Sequence, residues 1–452
     1  MNGMPLDSWT LGKIGADGAG LTREALGRYQ LGKFRETIEY ARTRSPFYRR
    51  LLSGLPADFP ADFSQVGRLP LTTAGDIREN PLQFLARPPH AIARIVTLRT
   101  SGTTGRPKRL YFTEEDLERT VDFFSVGMSM LARPGHKVLI LLPGDRPDSV
   151  GDLLARALAR IGVEGIAYGP VRDLQDAARQ IVSRRIDCLV GIPTQVLALA
   201  RSLAGRLIPP DRIRTVLLST DYVPEAIVRE LCRRWGCRVF RHYGTTEMGL
   251  GGGVECPASS GYHLREADLL FEIVDPGTGE PRAEGRKGEI VVSTLTRKGM
   301  PLIRYRTGDI SRMIPGPCRC GSVTRRLDAV LRMDGRAVLS NGSVLSMPEM
   351  DEALFGVCGL LDYRAALSTR DHRDCLEISV YTEDRGESVT REALRALVSV
   401  PPIAEGLAEG SLRLAPVGIR RAGWFTTGVA KRSIADSRNR TPKDRNPQPV
   451  RA

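Results

Sequence analysis

The chain has 452 residues, of which 41% are hydrophobic and 26% charged, and its formal net charge is +14. This length provides for a large core and for two or three domains. No window approaches the roughly 18 consecutive apolar residues of a membrane span, and the first residues lack the apolar region of a signal peptide, so we expect no membrane partner and a cytoplasmic location. Eight cysteines are too few for a disulfide framework, so we expect thiols or metal ligands.

The C-terminal end of the chain is rich in positive charge. From Lys431 onward the chain has seven Lys or Arg against two Asp, and residues 438–452 have few apolar side chains to bury, which predicts a disordered basic tail. Elsewhere Arg is spread among acidic residues and lacks the interleaved aromatics of a single-strand binding surface. We therefore expect no nucleic-acid partner, because polyanionic small substrates explain the charge as well.

The first predicted element is an amphipathic helix in residues 21–44. Apolar residues recur at steps of three and four from Leu31 to Ala41, and Pro46 ends the helix. A β-branched, apolar run in residues 91–98 and a second apolar run in residues 110–112 predict two strands joined by a loop.

That loop has the sequence TSGTTGRPK, residues 100–108. Its glycines let backbone N–H groups turn toward an anion, its hydroxyls add donors and its lysine adds a charge, as in a phosphate-binding loop. The order differs from a Walker loop because Arg106 and Pro107 follow the second glycine. A plain polar turn is the alternative. The candidate phosphate-binding residues are Thr100, Ser101, Gly102, Thr103, Thr104, Gly105 and Lys108.

Strand and helix patterns alternate from Thr113, a predicted N-cap, to about Trp235. This alternation predicts an α/β fold with mainly parallel sheets covered by helices, in which ligands bind at the carboxyl ends of strands. Alternating apolar residues in 267–274 and 288–293 predict an antiparallel subdomain. Beyond Ala329 the patterns predict a small α+β domain.

Two further motifs follow predicted strands. HYGTTEMG spans residues 242–249, and YRTGD spans residues 305–309. An aromatic ring, hydroxyls and a carboxylate in the first motif suit base stacking, phosphate contact and Mg²⁺ binding. A carboxylate in the second suits a vicinal diol such as that of ribose. For each motif taken singly, an ordinary turn is the alternative.

The three motifs occur in the order found in the adenylate-forming (AMP-binding, acyl-CoA synthetase) superfamily, and the chain resembles its phenylacetate-CoA ligase-like members. The segments SPFYRRLL, residues 45–52, and LPLTTAGDIREN, residues 69–80, also resemble that branch. The resemblance implies a large N-terminal domain, residues 1–327, and a mobile lid domain, residues 328–437, that swings about a hinge near Asp328. The basic tail, residues 438–452, follows.

The resemblance also assigns roles to single residues. The loop would hold the β- and γ-phosphates of ATP. In the YGTTE motif, Tyr243 would stack on adenine beside Gly244 and Thr245, Thr246 would contact the α-phosphate, and Glu247 would bind magnesium. Asp309 would accept hydrogen bonds from the ribose hydroxyls, and Arg326 would touch the ribose. Thr246, Glu247 and Lys431 are the catalytic candidates.

The C-terminal domain departs from the family at its catalytic lysine. The family pattern is Gly-Lys-x-x-Arg, whereas this chain has GVAKR in residues 428–432, so Val429 stands at the catalytic position. Lys431 reaches the site if the segment shifts by two residues, and it is a surface lysine if it does not. Without such a shift, adenylation should be slow or depend on another cation.

Cys256, His263, Cys318 and Cys320 form a candidate zinc site. Three thiols and an imidazole are a common tetrahedral zinc set, although the C-x-C spacing is tight and buried free cysteines are the alternative. The segments ECPASSGYH and CRCG resemble pieces at the same places in phenylacetate-CoA ligase relatives, which favours structural zinc.

The implied activity is ATP-dependent ligation of a small carboxylic acid to coenzyme A, with an acyl-AMP intermediate and Mg²⁺. One alternative is an adenylating ligase that delivers the acyl group to a carrier protein or an amine, and another is a non-catalytic nucleotide-binding relative. Phe123, Phe124 and the glycines of residues 249–253 lie where the family places its acyl pocket, which suggests an aryl or arylacetic acid by analogy only. The sequence is compatible with a homodimer and does not decide the oligomeric state.

Overall fold

The computed structural model describes residues 4–15, 20–56, 58–98, 106–383, 387–420 and 432–438. The helices are α1 (Pro5–Ile14), α2 (Arg23–Arg44), α3 (Pro46–Leu51), α4 (Ala74–Glu79), α5 (Glu114–Ser129), α6 (Val150–Arg160), α7 (Leu174–Ser183), α8 (Pro193–Arg201), α9 (Glu225–Trp235), α10 (Met347–Leu354), α11 (Glu387–Val398) and α12 (Pro401–Ala408).

The strands of the first three quarters of the chain are β1 (Arg94–Leu98), β2 (Lys108–Phe112), β3 (Lys137–Leu141), β4 (Glu164–Ala167), β5 (Cys188–Gly191), β6 (Thr215–Leu218), β7 (Arg238–Tyr243), β8 (Gly253–Glu255), β9 (Tyr262–Leu264), β10 (Leu269–Val274), β11 (Gly288–Thr294), β12 (Tyr305–Ser311), β13 (Arg326–Leu327) and β14 (Leu331–Arg332). Those that follow are β15 (Arg336–Val338), β16 (Val344–Ser346), β17 (Asp362–Arg370), β18 (Arg373–Tyr381), β19 (Leu412–Leu414), β20 (Gly418–Arg420) and β21 (Ala435–Asp436).

The largest sheet has eight strands in the order β13-β9-β8-β7-β6-β5-β3-β4. Strands β7, β6, β5, β3 and β4 run parallel, whereas β8, β9 and β13 continue the sheet antiparallel. The central strands are buried along their length, as in CLVG of β5, because helices cover both faces of a parallel sheet. The predicted α/β class is therefore confirmed.

A second sheet is antiparallel, with the order β10-β11-β12-β14. It contains the predicted pair in residues 267–274 and 288–293, but the YRTGD motif forms strand β12 rather than a turn. Strands β1 and β2 pair with each other and flank the predicted phosphate-binding loop, with Leu98 opposite Lys108.

The C-terminal part of the chain has a five-stranded sheet in which β19-β18-β17-β21 are in order and β20 also pairs with β18. One continuous cluster of buried apolar side chains joins this part to the parallel sheet and includes Leu197, Trp235, Leu354 and Phe355. The two parts therefore share a core in this structure.

Polar contacts reinforce this packing at the C-terminal end of α10. The Arg201 guanidinium donates to the carbonyls of Phe355, Val357 and Leu360 at 2.7–2.9 Å. The Glu352 carboxylate accepts from the backbone N–H of Glu225 at 2.8 Å, at the start of α9. An acidic group at a helix N-terminus and a basic group at a helix C-terminus both oppose the unpaired backbone charges found there.

The predicted helix of residues 21–44 and the predicted N-cap at Thr113 are confirmed. Helix α2 covers the amphipathic pattern of residues 21–44, and Thr113 caps α5 through a reciprocal capping box with Asp116. Pro46 ends α2 but also begins α3.

Among the described residues no helix is both long and apolar enough to cross a membrane. In the predicted tail only Arg438 is described, and it bonds to Asp374 at 3.1 Å.

Candidate active site

A cavity of about 1270 Å³ lies beside the carboxyl ends of β6 and β7. Residues of α4, α5 and β12 complete its wall, so both large sheets contribute to it. One part of the lining is apolar and includes Phe123, Met128 and Leu217; another is polar and includes Glu247 and Asp309. A concave site with an apolar part and a few converging polar groups is typical of a ligand pocket.

Part of the predicted phosphate-binding loop lies outside the described residues. This applies to Thr100, Ser101, Gly102, Thr103, Thr104 and Gly105, whose role stays a prediction. Lys108 begins β2 and lines the cavity. Leu98, on the other strand of the pair, lines the cavity as well, so both strands that flank the loop reach it.

Lys108, Glu247 and Tyr305 meet in the polar part of the cavity. The Lys108 ammonium forms an ion pair with the Glu247 carboxylate and donates to the Tyr305 hydroxyl at 3.0 Å. The Tyr305 hydroxyl lies 3.2 Å from Glu247 Oε1. Burial opposes ionisation of Glu247, but the Lys108 charge and the hydrogen bonds to this carboxylate together outweigh burial and hold its pKa below the usual value. Glu247 is thus a buried, ionised carboxylate, as a metal ligand must be.

The YGTTE motif runs from the end of β7 into a short 3₁₀ helix, Thr246–Met248. Gly244, Thr245, Thr246 and Glu247 all line the cavity. A Cβ on Gly244 would lie 2.4 Å from the Leu250 carbonyl oxygen, so only glycine fits this turn.

Tyr243 is placed differently from its neighbours. Its ring is buried, it does not line the cavity, and its hydroxyl donates to Asp309 Oδ2 at 2.9 Å. Burial, with the Asp309 charge beside it, raises the pKa of the Tyr243 hydroxyl well above its usual value. Asp309 itself lines the cavity, so the two motifs are joined at the predicted nucleoside position, while adenine stacking on Tyr243 stays a prediction.

Arg326 and Asp328 lie away from the cavity wall. The Arg326 guanidinium donates to the Ser260 carbonyl at 2.9 Å and to the Gly316 carbonyl at 3.0 Å. Asp328 accepts from Arg312 Nε at 2.8 Å. The ribose contact of Arg326 and the hinge at Asp328 therefore stay predictions, as do the predicted domain limits.

The apolar part of the cavity contains both predicted phenylalanines, Phe123 and Phe124. In the glycine run of residues 249–253, the space beside Gly251 is filled, since a Cβ on Gly251 would lie 2.6 Å from Phe123 Cδ1. Glycine at this position therefore admits the Phe123 ring, which itself lines the cavity.

His242 is a polar side chain in this apolar part that sequence reasoning missed. Its Nδ1 lies 2.8 Å from Ser219 Oγ, and its buried Nε2 has no hydrogen-bond partner among the described residues. Burial lowers the pKa of the imidazole to about 4, so His242 is neutral at pH 7. The only available signal was its place directly before the Tyr of the YGTTE motif.

Lys431 lies outside the described residues, so its catalytic role stays a prediction. The next residue, Arg432, is firmly held: its backbone N–H donates to Asp221 Oδ2 at 3.0 Å, and its guanidinium lies 3.2 Å from Asp351 Oδ1 and 4.4 Å from the centre of the Tyr363 ring. Ser433 lines the cavity. The chain directly after Lys431 therefore reaches this site.

The four predicted zinc ligands are brought together. Their ligand atoms, from Cys256, His263, Cys318 and Cys320, all lie within 4.8 Å of one another. Cys256 Sγ is 3.7 Å from Cys318 Sγ, and Cys320 Sγ is 3.4 Å from His263 Nε2. The pairing of β9 with β13 causes this, because it places His263 opposite Arg326, close to the C-x-C turn.

Comparison with known proteins agrees with this geometry. A family model described as "AMP-binding enzyme" matches residues 63–296. The phenylacetate-coenzyme A ligase of Thermus thermophilus is 30% identical over 341 residues, which cover 72% of this chain and 74% of that protein. The enzyme of the same name from Escherichia coli is 27% identical over 385 residues, covering 82% and 85%.

Among solved structures, 2-hydroxyisobutyryl-CoA ligase in the postadenylation state has the same fold. The TM-score is 0.78 at 19% identity, and the match covers 92% of this chain and 91% of that one. With the family model, the bacterial relatives and the shared fold all in agreement, this chain belongs to the AMP-binding enzyme family and is phenylacetate-CoA ligase-like.

Proposed function

We propose that this protein is an AMP-forming acid–CoA ligase that activates a small carboxylic acid with ATP and transfers the acyl group to coenzyme A. The observation that carries the proposal is that Lys108, Thr246, Glu247 and Asp309, from three separate motifs, line one cavity. Relatives that match most of this chain are named as ligases that join an acid to coenzyme A. A cytoplasmic location is part of the proposal.

In the first half-reaction a carboxylate oxygen of the acid attacks the α-phosphorus of ATP, the bond to the β-phosphate oxygen breaks, and pyrophosphate leaves. The Thr246 hydroxyl donates to an α-phosphate oxygen, and Asp309 accepts from the ribose hydroxyls. Lys108, together with the loop before it, neutralises the leaving pyrophosphate. Fixed donors aimed at developing negative charge are the main means of lowering such a barrier.

Glu247 is the residue that would hold magnesium. Its carboxylate is buried, ionised and on the cavity wall, and one carboxylate with substrate phosphate oxygens is the usual ligand set of Mg²⁺. When bound, the ion would neutralise phosphate charge. Because Lys108 now occupies one oxygen of Glu247, the ion pair has to open or shift as the nucleotide enters.

In the second half-reaction the thiolate of coenzyme A attacks the carbonyl carbon of acyl-AMP, and the bond to the AMP oxygen breaks. The reactive anhydride has to be shielded from water between the two steps. The apolar part of the cavity, lined by Phe123, Phe124 and Leu217, suits an apolar acyl group with this protection. An aryl or arylacetic acid fits such a surface, and Lys431 is the proposed lysine of the first half-reaction.

A pyrophosphate-release screen tests this function. Aryl, short aliphatic and amino-acid carboxylates are each assayed with and without coenzyme A, on the wild type and on Lys431→Ala. We expect acid-dependent pyrophosphate without coenzyme A, a thioester when it is added, and slower adenylation in the variant. Unchanged adenylation in Lys431→Ala would remove this lysine from the site.

Two other results would replace the proposal by its rivals. Pyrophosphate release with no thioester in the presence of coenzyme A would favour a ligase that acts on a carrier protein or an amine. Intact ATP binding with no acid-dependent exchange over the whole panel would favour a non-catalytic nucleotide-binding protein.

We also propose that Cys256, His263, Cys318 and Cys320 hold a structural zinc ion. A tetrahedral site with metal–sulfur bonds of about 2.3 Å has edges of roughly 3.7 Å, and the sulfur–sulfur and sulfur–nitrogen distances given above fit such edges. The His263 Nδ1 lies 2.9 Å from Thr324 Oγ1, which fixes the ring with Nε2 toward the thiols.

Metal analysis tests this site. We expect near one zinc per chain in the purified protein and loss of that zinc in Cys318→Ser, with Cys232→Ser, an exposed cysteine elsewhere, as the matched control. A metal-free protein whose four ligand groups react freely with thiol and imidazole reagents would contradict the proposed zinc site.

A further inference from the structure

The charges of the cavity are unevenly balanced. Among the described residues that line it, four are basic: Arg78, Lys108, Arg306 and Arg332. Lys108 is paired with Glu247, Arg306 donates to Glu289 at 2.8 Å, and Arg332 is paired with Asp334. Arg78 has no carboxylate partner in the part of the chain that the structure describes.

Arg78 is held in place by the backbone around it. It lies on the short helix α4, whose first turn is closed by a capping box between Thr73 and Asp76. The residue before that turn, Thr72, is fixed to β12, because its N–H donates to the Arg304 carbonyl at 3.0 Å and its carbonyl accepts from the Arg306 N–H at 2.9 Å. Arg78, which lines the cavity, therefore stands on a helix whose start is fixed to β12.

Its side chain is partly buried, and its Nε atom is buried without a hydrogen-bond partner. A guanidinium has five N–H donors in a planar fork and keeps its charge at all accessible pH values. Leaving the buried Nε donor unpaired is costly, and a ligand that accepts from the guanidinium removes that cost.

Arg78 lies at the polar part of the cavity, not at the apolar part. Burial, and then the Glu247 charge, raise the pKa of the Tyr305 hydroxyl, and Arg78 is close enough for its charge to oppose that rise. The same hydroxyl contacts Lys108 and Glu247. Arg78 therefore faces the place where the proposed function puts the end of the triphosphate.

We propose that Arg78 binds the β- and γ-phosphates of ATP and stays on the pyrophosphate as it leaves. The choice of ATP as the ligand rests on the proposed function, whereas the binding test below does not require catalysis. ATP brings several negative charges into a cavity whose other described cations are paired with carboxylates before it enters, and Arg78 adds a cation that has no such pair to break. The guanidinium fork matches two phosphate oxygens at once, which a lysine ammonium does not.

A carboxylate of the acid substrate is the competing occupant, because it also accepts from a guanidinium in two bonds. The two occupants predict different losses. A phosphate contact weakens ATP binding and spares AMP, which lacks the β- and γ-phosphates. A carboxylate contact spares both nucleotides and raises the KM of the acid.

The test measures equilibrium binding of ATP and of AMP, each with magnesium present, to the full chain. The variants are Arg78→Ala and Arg78→Lys, and the matched control is Arg68→Ala, an exposed arginine just before this segment. We expect Arg78→Ala to weaken ATP binding by about 10- to 100-fold, in line with loss of a charged hydrogen bond, while AMP binding changes less than about twofold. Arg78→Lys should recover part of the loss, and Arg68→Ala should match the wild type.

Equal weakening of ATP and AMP, no change in either, or a raised KM of the acid with intact ATP binding would each overturn the proposal. Circular dichroism and thermal denaturation identify a misfolded alanine variant, in which case the lysine variant alone carries the ATP-to-AMP comparison. Failure of the proposed function is visible separately, in the wild type, as ATP binding without acid-dependent pyrophosphate release.

Discussion

The carboxylate of Asp309 offers the sharpest test of how the nucleoside is held. Asp309 is 4% exposed, lies on β12, and accepts from the Tyr243 hydroxyl at 2.9 Å. The change Asp309→Asn keeps the size and shape of the side chain but removes its charge and one accepting oxygen. Tyr243 can still donate to the remaining oxygen, so the fold should survive the change.

The expected loss follows from the bonds that Asp309 would accept from ribose. A hydrogen bond to a charged group contributes about 1.5–3 kcal/mol, so losing one weakens ATP binding by about 10- to 150-fold. For the wild type, 2′-deoxy-ATP should bind more weakly than ATP by a similar factor, because one of the same bonds is missing.

The assay combines both changes. Binding of ATP and 2′-deoxy-ATP is measured by calorimetry for the wild type, for Asp309→Asn and for Asp334→Asn, which alters an exposed carboxylate of the same cavity. We expect the penalty for the missing 2′-hydroxyl to shrink by at least about tenfold in Asp309→Asn only. The same penalty in all three proteins would refute the ribose assignment.

Three further predictions concern stability. Burial lowers the pKa of His242 to about 4, below its unfolded value of 6.5, so the stability it contributes is present above pH 6.5 and is lost as pH falls toward 4. His242→Gln should remove up to about 3 kcal/mol of this acid-induced loss in the free energy of unfolding. Parallel pH profiles of unfolding free energy for the wild type and the variant would contradict this. Arg304 is 1% exposed and donates to Glu272 and three carbonyls, so Arg304→Met should lower the free energy of unfolding, measured in urea, by about 3–5 kcal/mol. The control Arg286→Met, at an exposed arginine, should not lower it. Equal urea midpoints for Arg304→Met and the wild type would argue against this role. Arg201→Ala should speed amide hydrogen exchange at the end of α10, where it removes three bonds, and unchanged protection there would show that the apolar core alone fixes this contact.

Local signals in the sequence were sufficient for much of the fold. The Thr113 cap is encoded within four residues, and the alternating apolar runs around β5 and β6 predict a parallel sheet because helices cover both of its faces. The shape of YRTGD was not predictable in this way, since Gly and Thr favour a turn locally but the pairing of β12 with β11 overrides that preference.

Contacts between distant residues lay beyond sequence reasoning. The Lys108–Glu247 pair joins positions 139 residues apart, and the Tyr305 hydroxyl meets both only because two sheets converge there. Arg78 carried no local signal beyond its place in the segment LPLTTAGDIREN, because it stands out only in having no carboxylate partner among the described residues. By contrast, the zinc ligands were predicted as a set, because three thiols and an imidazole are together a typical ligand set for Zn²⁺.

The acyl-AMP intermediate is tested most directly by tracing one labelled oxygen atom from the acid to the products. In acyl-AMP chemistry the carboxylate oxygen that attacks the α-phosphorus stays on that phosphorus when the CoA thiolate takes the acyl group. An acid found to be a substrate in the screen is labelled with ¹⁸O in its carboxylate and incubated with the enzyme, ATP and coenzyme A. The masses of the products are then measured by mass spectrometry. We expect one ¹⁸O in AMP and none in pyrophosphate. Label in inorganic phosphate with ADP as the other product, or AMP without label, would contradict it.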